Sequence, residues 1–175
     1  CMRILTALKK GLTTKEAFFL VLQPKVNLGT GKPGGFEALL RWRMEDNTLC
    51  PPSEFIPMAE ASGLSLEISE MVLAKTIEVI QCLQAEGYSL PVSFNLANSD
   101  VVSPIIFNEI NRCINEHDID ASLLDIEVTE TQATEEYTVI NPLLRSFINK
   151  GVGVSIDHFG TGYSSLSHFT DLAPP

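Results

Sequence analysis

Four stretches of the chain alternate apolar and polar residues with the two-residue period of a strand that rests one face on a core, and a fifth, over 18–26, opens on a strand-sized apolar run. In 152–157, Val152, Val154 and Ile156 alternate with Gly153, Ser155 and Asp157, and the strand ends on an acid before Gly160 and Gly162 turn the chain toward a new helix. In 35–42, Phe36, Ala38 and Leu40 oppose Glu37, Leu39 and Arg41, so an acid and a base share one face. The polar side of 91–96 carries Ser93 and Asn95, and that of 123–130 carries Asp125 and Glu127. The strand over 18–26 contains Pro24, which cannot donate to a ladder and suits an edge.

Between the strands the pattern lengthens to the helical period. Helices are expected over 2–12, stopped by Gly11, and over 51–61. A long helix over 66–86 has Ile68, Val72, Thr76, Ile80 and Leu83 on one stripe and Gly87 as its stop; others cover 99–116 and 135–149, with Gly151 after the last. Residues 29–35 form a glycine-rich loop. Strands separated by helices imply an α/β fold whose parallel sheet is linked by crossovers, and neither repeats nor linkers divide the chain. An open doubly wound sheet and a (β/α)8 barrel both fit. Glu37, Asn95, Glu127 and Asp157 lie near the C-terminal ends of their strands, a placement that a helix-covered face seldom tolerates and a barrel mouth does, so the barrel is favoured.

With 175 residues, 45% of them hydrophobic, the chain is expected to form one globular domain with a real core. Twelve Lys and Arg against twenty-two Asp and Glu give a net charge of -10, which argues against a nucleic-acid surface. No run approaches the roughly 20 apolar residues of a membrane span, and no secretory signal precedes the first helix. Cys1, Cys50, Cys82 and Cys113 are scattered without a C-x-x-C pair, as in reduced cytoplasmic proteins; Cys82 and Cys113 read as helix-core fillers. His117-Asp118 reads as a solvated turn.

Three carboxylates and an amide brought together without basic partners repel one another unless a cation sits among them. Oxygen ligands alone select a hard ion such as Mg²⁺ or Mn²⁺, and such ions serve phosphoryl chemistry. Arg41 shares the Glu37 face and suits a phosphate or, alternatively, an acid at the core rim. The bland alternative for the acids themselves is a set of solvated strand ends.

Glu37-Ala38-Leu39 with Leu40-Arg41-Trp42, then Asn95, then Glu127-Val128-Thr129-Glu130, then Asp157-His158-Phe159-Gly160-Thr161-Gly162-Tyr163-Ser164-Ser165-Leu166 resemble the EAL-domain family in order and spacing, from about Leu5 to Leu172. The resemblance implies a modified TIM (β/α)8 barrel whose first strand is antiparallel. It also implies hydrolysis of the bacterial messenger cyclic di-GMP to linear pGpG with Mg²⁺ or Mn²⁺. On the same basis Glu37, Asn95, Glu127 and Asp157 hold a first metal, Asp157 bridges to a second, and Glu130 braces the Asp157 loop. Gln23, Leu39 and Arg41 contact the nucleotide. Gln23 also reads as a plain strand-end polar residue, and Glu130 as an exposed one.

Two departures qualify what the resemblance implies. The family pattern has a second aspartate, a ligand of the second metal, where this chain has His158. The sequence also reaches Pro175 before the family's next strand, so the lysine associated with the general base is expected beyond Pro175 and no catalytic residue is assignable. The expectation is therefore a single EAL-like domain over 1–175 that forms an incomplete barrel of about five strands with their helices, against the roughly 250 residues of a full one. A homodimer covering the cut edge, and a GGDEF, receiver or other sensory domain in the parent protein, are the expected partners beside cyclic di-GMP. Two functions follow: a phosphodiesterase lineage, with this chain inactive as it stands, or a degenerate module that binds cyclic di-GMP or a protein and regulates.

Imidazole suits Mn²⁺ or Zn²⁺ better than Mg²⁺. His158 reads first as a substitution that disables the second site; as a ligand instead, it makes that site weak in Mg²⁺ and partly rescued by Mn²⁺, with His158→Asp raising metal stoichiometry and turnover; unchanged values in both assays would contradict this.

Overall fold

The fold starts from a long antiparallel pair. Strand β1 (Phe18–Val26) and strand β2 (Pro33–Arg43) run together from Phe18↔Trp42 to Val26↔Pro33, with a register shift between Lys25 and Val26. In the computed structural model, which describes residues 2–117, 119–129 and 137–157, β2 then pairs in parallel with β4 (Val92–Asn95), β4 with β5 (Leu124–Thr129), and β5 with β6 (Gly153–Asp157). Among the described residues the path is β1-β2-β4-β5-β6, and a short β3 (Leu49–Cys50) adds to β2. The mixed α/β fold and the antiparallel first strand match the expectation, and Pro24 does lie on an outer strand of this path.

The helices are α1 (Met2–Thr14), α2 (Pro52–Ala61), α3 (Ser65–Ala85), α4 (Asn98–Val101), α5 (Pro104–His117) and α6 (Tyr137–Asn149). The apolar phase of the strands, including Ala38, Val92, Phe94, Leu124, Ile126 and Val128, is buried in one cluster with Met71, Leu73, Ile77 and Ile80 of α3 and Ile106 and Ile110 of α5. Helix α3 packs on β4 and α5, and α6 on β6. The predicted α3 stripe is buried at Ile68, Val72, Thr76 and Ile80. Phe18, Trp42 and Phe55 close one end of the core, Phe18 stacked on Trp42 and Phe55 edge-on to both. No described helix is long and apolar enough to cross a membrane.

Several local expectations are corrected. Helix α1 runs through Gly11 to Thr14, and Lys15, at φ 59, ends it. Gly11 serves packing instead: a Cβ there would lie 3.2 Å from the Phe18 ring and 3.4 Å from Trp42 Nε1. The expected helix over 99–116 is two helices, broken at Val102 and Ser103 before Pro104. Strand β2 begins at Pro33, inside the expected loop. Cys113 is buried as expected, but Cys82 is exposed, because it falls outside the buried stripe of α3.

Gly35 fixes how closely β2 approaches β4. Phe36 N donates to Pro91 O at 2.8 Å, and a Cβ on Gly35 would stand 2.7 Å from that same oxygen. The backbone contact therefore excludes any side chain at position 35. Gly35→Ala is expected to destabilise the protein by ~1–3 kcal/mol through forced separation of these strands; an unchanged urea midpoint would refute this.

Candidate functional site

The opposite phase of the same strands builds a polar face. Register makes it explicit: Gln23 pairs with Glu37, Glu37 with Ser93, Ser93 with Asp125, and Asp125 with Gly153. The next row toward the C-terminal ends of the parallel strands holds Asn95 beside Glu127 and Glu127 beside Ser155. One row further, Asp157 pairs with Thr129. Because side chains alternate along a strand, Glu37, Asn95 and Glu127 belong to one face, and the backbone of Asp157 is in register with it.

Side-chain geometry joins the members of that face. Asn95 Nδ2 donates to Glu37 Oε1 at 3.0 Å, which commits its amide nitrogen to the neighbouring strand and leaves its carbonyl oxygen as a donor for a cation. Leu96 N donates to Glu127 O at 3.1 Å, continuing the ladder past Asn95 and holding the two site residues side by side. Behind Asn95, the buried Asp100 carboxylate accepts from Ser65 at 2.9 Å, Ser69 at 2.6 Å and Ser99 at 3.1 Å. That knot ties α4 to the start of α3 and fixes the exit of β4.

Glu127 is almost wholly buried, at 6% exposure. It is not without a basic partner, contrary to expectation: the Lys25 ammonium is bonded to Glu127 Oε1 and lies 3.8 Å from Asp125 Oδ2. Sequence reasoning passed over Lys25, although it follows Gln23 by two positions on β1 and so shares its face. Ser155 Oγ donates to Asp125 Oδ2 at 2.7 Å, while Asp125 Oδ1 is buried without a hydrogen-bond partner.

The remaining predicted residues divide. Gln23 is exposed opposite Glu37, and Leu39 is half-buried on the same face. The Arg41 guanidinium donates to Leu40 O at 2.9 Å. Glu37 stands in the middle of the long β2, not near its end, although it remains beside the short β4. Backbone register places Asp157, whereas its side chain, Glu130, His158 and the glycine turn after it lie outside the described residues. The run from there to Pro175 lies outside them as well. His117 ends α5, and Asp118 also lies outside the described set.

Among the described residues, no group of three or more His, Cys, Asp or Glu side chains is placed to hold a metal. What the strands bring together is Glu37 bonded to the Asn95 amide, Glu127 paired with Asn95 in register, and the backbone of Asp157 one row away. This all-oxygen set fits a hard divalent cation. The ammonium on Glu127 marks the same place as favourable for positive charge.

Comparisons with known proteins agree with this fold. The family described as EAL domain matches residues 5–175. A Pseudomonas aeruginosa protein named cyclic di-GMP phosphodiesterase PA2567 is 35% identical over 169 residues, which is 97% of this chain and 29% of that protein. The bifunctional diguanylate cyclase/cyclic di-GMP phosphodiesterase MucR of the same organism is 32% identical over 98% of this chain and 25% of its own length. A solved structure of PaMucR phosphodiesterase in complex with c-di-GMP superimposes with a TM-score of 0.89 at 32% identity, covering 95% of this chain and 68% of that one. The chain spans less than a third of the length of these curated relatives.

Burial pushes the Asp125 carboxyl above its ordinary range; the Ser155 hydroxyl and the Lys25 cation pull it back, and Glu127 pushes with burial. The folded protein thus holds this proton more tightly than the unfolded chain. Stability is therefore lost as pH rises from the unfolded value, about 3.9, through the raised folded one. With chelator present, Asp125→Asn is expected to melt higher than the unsubstituted protein near about pH 7, the gain shrinking toward about pH 4 as both forms become neutral; a gain that grows on acidification would contradict this assignment.

Proposed function

This chain belongs to the EAL domain family, and from that membership we propose that its polar face is a divalent-cation and phosphodiester site that takes cyclic di-GMP and hydrolyses it to linear pGpG. The observation that carries the reading is the Asn95 to Glu37 bond beside the in-register, nearly buried Glu127: three oxygen-bearing side chains on adjacent strands. The relatives named for this activity support it, as does the fit to a structure solved with c-di-GMP.

In this reading Glu37, Asn95, Glu127 and Asp157 hold Mg²⁺ or Mn²⁺, with Asp157 and His158 toward a second ion. When bound, such an ion supplies positive charge to a phosphodiester oxygen and makes a water molecule more acidic. The chain's own residues do the rest. Asn95 keeps the Glu37 carboxylate turned toward Glu127. Arg41, on the Glu37 face, exchanges its bond to Leu40 O for a phosphate oxygen, the preferred partner of a guanidinium. Gln23 and Leu39 border the nucleotide, and Glu130 braces the loop after Asp157. Hydrolysis joins the water oxygen to phosphorus, breaks the bond to the ribose 3′ oxygen, and passes the water proton to that leaving oxygen.

The second reading, a module that binds cyclic di-GMP without turning it over and regulates a GGDEF, receiver or other partner domain, is favoured by one feature, His158 in place of an aspartate. Residues 1–175 act as one domain in either case, in the cytoplasmic compartment where the messenger is found. Hydrolysis of cyclic di-GMP in Mn²⁺, compared with calorimetric binding in Ca²⁺, separates the two: product formation supports the enzyme, and binding without product supports the module. Neither binding nor product would refute both. Glu127→Gln is expected to weaken Mn²⁺ binding at least about tenfold, since even residues behind a metal ligand commonly cost that much.

A further inference from the structure

The proposed reaction leaves Lys25 without a role. Its backbone pairs with Gly35, one row below Glu37 toward the N-terminal ends of the parallel strands. Two local features turn it inward. Gly35 presents no side chain opposite it, and the register shift at Lys25/Val26 is of the kind that re-aims a side chain. Although β1 and β5 are three pairings apart along the sheet, the ammonium bonds Glu127 and stands 3.8 Å from Asp125 Oδ2.

One cation therefore has two carboxylates within reach, and they differ. Glu127 is the acid that faces Asn95 and is offered to a divalent ion. Asp125 lies one row below, away from that ion, and its Oδ1 is buried with no partner. A buried carboxylate stripped of its counter-charge is strongly disfavoured, so Glu127 needs a cation even when no metal is present. A metal arriving at Glu127 meets an ammonium already there, and like charges on one carboxylate repel. Asp125 offers the ammonium a short step to a second acceptor.

We propose that Lys25 is a tethered counter-ion: it holds Glu127 in the metal-free protein and steps to Asp125 when a divalent cation takes Glu127. This rests on the reading of Glu127 as a cation ligand. The lysine keeps the acidic face folded without metal and, in return, weakens metal binding by whatever it contributes to the metal-free state, because coupling between two ligands of one carboxylate is reciprocal.

Calorimetric titration of Mn²⁺ into the metal-free chain tests it, with melting temperatures measured in parallel. Lys25→Gln is expected to bind Mn²⁺ at least about fivefold more tightly. It should melt lower than the unsubstituted protein in chelator and regain the difference in saturating Mn²⁺. Lys25→Arg, which keeps the charge, should stay near the original affinity. Asp125→Asn should weaken binding, and that weakening should vanish in the Lys25→Gln background. Equal or weaker Mn²⁺ binding by Lys25→Gln overturns the proposal, as does an Asp125→Asn effect of the same size in both backgrounds. If Lys25→Gln does not fold, Lys25→Arg and Asp125→Asn carry the test: Asp125→Asn should bind Mn²⁺ more weakly than Lys25→Arg and the unsubstituted protein, and equal affinities overturn the proposal. An unsubstituted protein that takes up no divalent ion refutes the cation site itself, whereas uptake that ignores Lys25 refutes only the counter-ion.

Discussion

Crowded negative charge on one face of a sheet is the constraint on which the rest of this structure depends. Glu37, Asp125 and Glu127 share a side-chain phase on neighbouring strands, the backbone of Asp157 follows in the same register, and Glu127 is nearly excluded from water. Carboxylates so placed are tolerated only with compensating positive charge. The fold supplies some of it from β1, the antiparallel strand of the described path, whose Lys25 ammonium meets both acids of β5. The remaining deficit is the physical reason for reading the face as a cation site.

The other phase of the strands makes this arrangement possible. Val92, Phe94, Leu124, Ile126 and Val128 are buried against the helices, so register cannot slip by one residue without moving the acids into the apolar layer. The close backbone contact at Gly35, the Asn95 to Glu37 bond and the Asp100 knot then fix where β2 and β4 present their oxygens. Affinity for a cation and for a phosphodiester thus depends on the packing of the hidden face as much as on the visible one.

Much of this was legible in the sequence. Period-two alternation located β2, β4, β5 and β6, which are half apolar and half polar, and the same alternation put Glu37, Asn95, Glu127 and Asp157 in phase. The EAL-domain resemblance added the antiparallel β1, which periodicity alone cannot give. Other features stayed hidden for physical reasons. A glycine that ends a helix and one that lets rings approach it are the same letter, so Gly11 misled. Two residues of β3 carry no period. Lys25 meets Glu127 only after three intervening strand pairings, a contact that no local pattern encodes.

The central claim is that Glu37, Asn95 and Glu127 share one divalent ion. Anomalous diffraction from a crystal of this chain grown with Mn²⁺ measures it directly. The account predicts a manganese peak within coordination distance of oxygens from all three side chains, with the Lys25 ammonium drawn away from Glu127. A fully occupied peak elsewhere, or none among these residues at saturating Mn²⁺, would contradict it.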